Sequence, residues 1–191
     1  MNSGASSSFR FDGFVAGVGP SQAEMCAMRA DGEVWRVGPG HILSDVPVDV
    51  RARLAAILAA SPPGLVLMGL SAAWVWDCLD YLPDKFEVAR ADGMRLGTTL
   101  PENYRVRDVA WSDGDIITTA VGCVTSIQRT MLDIARYDRT ESPKRTRAVL
   151  GALEEARPGS ATEALQRLLE SAHLPYKSQA LVRLSSVLSR T

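Results

Sequence analysis

Two histidines and three cysteines in 191 residues leave little material for metal or thiol chemistry. The cysteines (Cys26, Cys78 and Cys123) are odd in number, far apart and without a C-x-x-C pair. That spacing argues against a disulfide framework or a zinc site and for a reducing compartment. His41 and His173 have no ligand cluster around them in the sequence. There is no excess of positive charge: 21 Lys and Arg stand against 22 Asp and Glu, a net charge of −1. No global field draws the chain onto nucleic acid, so any DNA binding must come from a local patch. No apolar run approaches the ~20 residues that a membrane-spanning helix needs. The N-terminus lacks a basic-then-apolar signal pattern. A soluble, cytoplasmic protein is expected.

Catalytic motifs are also missing. Gly17 and Gly19 mimic a phosphate loop, but no strand precedes them, no third glycine follows and the Lys-Ser/Thr pair is absent. Asp84 and Glu87 suggest a metal-dependent nuclease core, yet Ala89 stands where its lysine is needed. No nucleophile–base pair emerges. The expectation is a non-enzyme without a cofactor or a metal.

What is present is a globular composition, 46% apolar and 23% charged, enough for one domain plus a small module. Residues 1–20 read as a flexible lead, Ser-rich at first, in which Phe9, Phe11, Phe14 and Val15 suggest a docked segment. Ser21 and Glu24 form a capping box that opens a helix running to about Ala30. Val34, Val37, Ile42 and Leu43 then flank Gly38, Pro39 and Gly40, the pattern of a β-hairpin. A short helix running into a hairpin is the second half of a winged helix, which sets its helix in the major groove and its hairpin on the backbone. Residues 21–62 are therefore expected to be a partial winged-helix-like module. Its candidate DNA contacts are Ser21, Gln22, Arg29 and Arg36, one hydroxyl, one amide and two cations. An amphipathic helix over 47–60 closes it, and Ser61, Pro62, Pro63 and Gly64 mark the boundary.

Residues 63–191 predict an α+β domain. Strands near 65–68, 85–91, 104–110, 115–119 and 122–125 suggest a small, mostly antiparallel sheet packed with helices. The most structured stretch is 115–137: strand, turn at Gly122, strand, then a helix capped by Thr125 or Ser126. That helix shows an apolar stripe of Ile127, Met131, Ile134 and Ala135. Gln128, Arg129, Asp133 and Arg136 lie off the stripe, which makes Arg129, Asp133 and Arg136 candidate partner contacts. Arg129–Asp133 and Asp133–Arg136 pair at i,i+4 and i,i+3. Trp74 and Trp76 are expected in the core. Arg105 and Arg107 share a strand face. Three helices end the chain. The first, over 144–156, carries Lys144, Arg145 and Arg147 as a local positive patch. The second opens on a capping box at Ser160 and Glu163, with Leu165, Leu168 and Leu169 inward. The third starts at Pro175, with Leu181, Leu184 and Leu188 inward.

Val124, Thr125, Ser126, Arg129, Thr130, Asp133, Ala135 and Arg136 keep the offsets of a V-T-S-x-x-R-T-x-x-D-x-A-R signature. In this the chain resembles the AbiEi-type antitoxin family of transcriptional regulators from abortive-infection toxin–antitoxin systems. Ile127 departs from the proline or other helix starter usual there. Gly32, Arg36, Val37 and Gly40 are similar to the end of that family's winged helix, and Ser71, Ala72 and Ala73 to a helix that follows it. Met68 and Gly69 replace a Ser-His pair, and Asp77 replaces a glycine. The resemblance implies an antitoxin-like regulator that binds operator DNA and counters a nucleotidyltransferase-like toxin. The short, poorly basic wing leaves a second expectation: an interaction module that has shed DNA binding and acts on a protein partner.

Overall fold

A computed structural model of the chain describes residues 20–58, 61–92, 100–138, 142–171 and 174–189. The expected lead over 1–20, except Ser21's neighbour Pro20, lies outside the described residues, as does His173. The chain divides into two compact units. One is Met1–Pro63 with Thr119–Gly122, and the other is Gly64–Thr118 with Cys123–Thr191.

In the first unit, Ser21 opens helix α1 (Gln22–Ala30). The Glu24 amide donates to Ser21 Oγ at 3.3 Å, and the Ser21 amide donates to Glu24 Oε2 at 2.7 Å. This is the reciprocal box that the sequence predicts. Gly32, at φ +74°, takes the chain out of the helix. Strands β1 (Val34–Val37) and β2 (Gly40–Leu43) pair antiparallel, with Trp35 opposite Ile42 and Arg36 opposite His41. Val34, Val37 and Ile42 are buried and face helix α2 (Val50–Leu58), which buries Leu54 and Ile57. α2 starts later than expected because the Asp49 carboxylate accepts the Ala52 amide at 2.9 Å and fixes the first turn there. Residues 59–60, where the helix was expected to end, lie outside the described residues.

The second unit carries a five-stranded sheet in the order β5-β4-β3-β7-β6. Its strands are β3 (Leu65–Leu67), β4 (Phe86–Arg90), β5 (Tyr104–Val106), β6 (Ile116–Thr119) and β7 (Gly122–Thr125). The tip of the β6–β7 hairpin, Thr119–Gly122, groups with the first unit. There Gly122 has φ +149°, and a Cβ on it would meet Leu58 Cδ1 at 2.3 Å, so glycine alone fits without a shift. The fold is α+β. The sheet is mixed rather than mostly antiparallel: β3 pairs antiparallel with β4, but β3–β7 and β4–β5 run parallel. β3 lies at the centre and is buried along its whole length, as an inner strand covered on both faces must be.

Helices α3 (Gly69–Val75), α4 (Ile127–Tyr137), α5 (Pro143–Ala156), α6 (Ser160–Glu170) and α7 (Lys177–Leu188) complete this unit. α4 is its axis, packed by α3, α5, α6 and α7. Trp74 is buried, and half-buried Trp76 donates its indole N–H to the Thr125 carbonyl at 2.9 Å. The chain leaves α3 through Asp77, whose φ of +60° is a conformation that favours glycine. Two expectations for α6 are corrected. Gly159, at φ +91°, is the N-cap, so Ser160 lies inside the helix and Glu163 pairs with Arg157 instead of closing a box. Ala161, Ala164 and Leu168 face inward, whereas Leu169 is 58% exposed. Among the described residues, no helix is long and apolar enough to cross a membrane.

Candidate functional site

Two constellations stand out, one in each unit. The first is the exposed surface of α1 and the β1–β2 hairpin in the first unit. α1 buries none of its residues. Ser21 and Gln22 lie exposed at its start and Arg29 exposed in its last turn, with Arg36 exposed on β1. Ser21 Oγ is already engaged by the Glu24 amide, and Arg36 Nε donates to the Gly38 carbonyl at 3.2 Å. His41 sits half-buried opposite Arg36. Burial first, then the charges of Arg29 and Arg36, hold its imidazole below the ordinary value. The helix and the hairpin thus bring two arginines near one histidine. Among the described residues His41 Nε2 has no hydrogen-bond partner. Trp35 is 58% exposed on the same hairpin. Nothing local in the sequence marks that exposure, since Trp35 lies opposite the buried Ile42.

The second constellation is a polar network inside the other unit. The expected outward placement of Arg129, Asp133 and Arg136 is corrected: they are 4%, 1% and 5% exposed. In this fold they are interior residues, and their faces of α4 are covered by other elements. Arg129 Nε donates to both oxygens of Asp133 at 3.0 Å. Its Nη1 donates to Asp115 at 2.7 Å and to the Ala110 carbonyl at 3.3 Å. Its guanidinium lies 5.0 Å from the Trp111 ring centroid. Arg167 reaches across from α6 with a two-pronged hold on Asp115, Nη2 at 2.8 Å. The Ser112 amide donates to the same carboxylate at 2.8 Å. Arg136 leaves the network and donates to the Pro175 carbonyl at 3.1 Å.

The two aspartates are tuned in opposite senses. Burial alone would raise Asp115, but the hydrogen bonds from Arg167 and Ser112 and the charges of Arg129 and Arg167 hold it below its ordinary value. Burial pushes Asp133 up to about 6, and Arg129 opposes it. Arg129 is therefore the hinge of an Asp115–Arg129–Asp133 array that ties β6 and α4 to α6. Other residues of 124–136 have packing roles as well. Ser126 caps α4 by accepting the Arg129 amide at 3.4 Å, and Thr125 and Thr130 join hydroxyls at 2.7 Å. Arg167 was not legible as a member, because nothing local links it to a residue 52 positions earlier.

Other charged and thiol side chains of the second unit have structural roles. Glu87 accepts from Arg107 at 2.9 Å and from the Leu70 amide at 3.2 Å, with Arg105 3.8 Å away. Arg105 and Arg107 thus share an internal acid. Burial pushes the Cys78 thiol up to about 11, away from thiolate reactivity. Among the described residues, no group of three His, Cys, Asp or Glu side chains is placed to hold a metal ion.

No protein-family model matches the chain, and no curated protein matches it. The resemblance rests on the signature residues themselves.

Proposed function

We propose that the chain is an antitoxin-like transcriptional regulator of the AbiEi type. It binds operator DNA through α1 and the β1–β2 hairpin and counters a nucleotidyltransferase-like toxin through its larger unit. The observation that carries the DNA reading is the exposure of Arg29 on α1, a helix with no buried residue, together with that of Arg36 on β1, opposite His41. Two exposed guanidinium groups, one on the helix and one on the hairpin, are suited to phosphate contacts. Gln22, exposed in the first turn, is the candidate for a base edge. The signature around α4 fits this reading as the scaffold of the larger unit, not as its contact surface.

The second reading is a protein-interaction module that no longer binds DNA. Exposed Trp35 favours it, since tryptophan is enriched among anchoring residues at protein interfaces. Anisotropy of the protein with its own upstream DNA and with scrambled DNA decides between them. Preference for the upstream sequence at ~150 mM salt, falling steeply as salt rises, is the expected result. Equal binding to both sequences, or none, would remove the operator reading and leave the second.

A further inference from the structure

With Arg129, Asp133 and Arg136 inside the fold, a partner surface must be sought elsewhere on the larger unit. A groove of about 330 Å³ runs between α5 and α7. Leu150, fully buried, forms part of its floor, and Pro143 and Val182 line its sides. Val182 is 72% exposed, the most open of the large apolar side chains that the structure describes. Leaving that surface in water has a cost that a partner would remove.

The charge around this apolar strip has one sign. Arg147 and Arg183 line the groove, and no acidic side chain among the described residues does so. α7 contains no Asp or Glu, and neither do the first two turns of α5, where Lys144, Arg145 and Arg147 all lie exposed. Cations at a helix start are opposed by the helix dipole, so the dipole gives no reason for them there. Arg145 is held over the Tyr81 ring, 3.6 Å from its centroid. Arg183 donates to the Ala135 and Asp138 carbonyls, each at 3.0 Å, and so closes the end of α4. Neither uses a carboxylate. Among the described residues Lys144 and Arg147 form no ion pair.

We propose that the α5–α7 groove is a docking site for an acidic amphipathic helix of a partner protein, which sets apolar side chains against Val182 and Pro143 and carboxylates against Arg147 and Lys144. A second copy of this chain is a poor occupant, because a two-fold contact would bring the same cations face to face. Nucleic acid is a poorer fit, because its phosphates match the cations but offer nothing to the apolar floor. An amphipathic helix satisfies both. The groove belongs to the larger unit alone, so the inference does not depend on the DNA reading of the smaller one.

The test uses the full chain and a phage-displayed library of random peptides of about 16 residues, slightly longer than α7 when helical. Selected peptides are expected to carry apolar residues at i, i+3 or i+4 flanked by Asp and Glu. Their binding, read by anisotropy, should weaken roughly tenfold or more in Val182→Glu and again in Arg147→Glu. Both substitutions are at exposed positions, so unchanged circular dichroism and thermal midpoints should accompany the loss. A library that fails to enrich, peptides without acidic residues, or binding indifferent to both variants would overturn the proposal. So would a random-sequence DNA duplex that competes with the peptides and loses affinity in the same variants, or a dimer seen by sedimentation that Val182→Glu dissolves.

Discussion

Helices α1 and α4 begin alike and end in opposite environments. Each opens on a serine whose Oγ accepts the amide three residues on, at 3.3 Å for Ser21 and 3.4 Å for Ser126. Yet α1 buries none of its nine residues, whereas α4 buries eight of its eleven, Arg129, Asp133 and Arg136 among them. A cap marks where a helix starts and says nothing about what will cover it. Coverage is set by elements that arrive from elsewhere in the chain. Around α4 they bring partners: the Asp115 carboxylate as a counter-charge for Arg129, and the Pro175 carbonyl as an acceptor for Arg136. Around α1 the charges remain in solvent.

The sharpest way to break this comparison is to delete one arginine from each helix. Arg129→Ala strands the buried Asp133 carboxylate, while Asp115 keeps Arg167 and the Ser112 amide, and is expected to cost about 3–5 kcal/mol in urea unfolding. Arg29→Ala should stay within about 0.5 kcal/mol while weakening DNA binding and lowering the salt slope by about one. Similar losses of stability in both would erase the distinction.

Titration sharpens it next. Asp133 is raised when folded, so the folded state holds the extra proton between its unfolded value and about pH 6. Its contribution to stability therefore grows as pH falls from about 6 to about 4 and is lost as pH climbs back through 6, by at most about 3 kcal/mol. Asp115 is lowered, so its contribution is present above its ordinary value and is lost as pH falls below about 4. Asp133→Asn should flatten the upper limb of a melting-temperature profile and leave the lower one. Loss of the lower limb instead would mean that the two roles are reversed.

The caps give a smaller effect. Ser126→Ala should cost about 1 kcal/mol globally. Ser21→Ala should leave global unfolding nearly unchanged and show mainly as faster hydrogen exchange in α1, which can open by itself. The least effect is expected from Glu163→Ala, which breaks the half-exposed Arg157–Glu163 pair and should cost no more than about 1 kcal/mol in the same denaturation assay.

Local signals were readable in the sequence, and distant ones were not. The Ser21–Glu24 box, the β1–β2 hairpin around Gly38 and Pro39, and the turn at Gly122 each depend on a few neighbouring residues. The inward turn of Arg129 does not, since it depends on Asp115, 14 positions away, and on Arg167 beyond it. The Ser160 box failed for a local reason with a nonlocal look: Arg157 already claims Glu163, and Gly159 supplies the left-handed residue that starts the helix. The parallel pairings of β3 and β5 left no local trace either, because alternation reports which face a side chain takes and not the direction of its neighbour. Of the candidate DNA contacts, the residues were legible but the placement of Arg36 opposite His41 was not.

The central position of β3 also governs how the chain is made. One edge of β3 pairs with β4, which follows soon after it, but the other waits for β7, with Cys123 opposite Val66. During synthesis Leu65–Leu67, an entirely apolar strand, emerges long before its second neighbour. Over that interval it is a half-zipped edge that another nascent chain can complete. Contacts so far apart in sequence also slow closure. Folding yield should therefore depend on protein concentration and on the pace of elongation, and light scattering during refolding should rise steeply for a chain ended before Gly122.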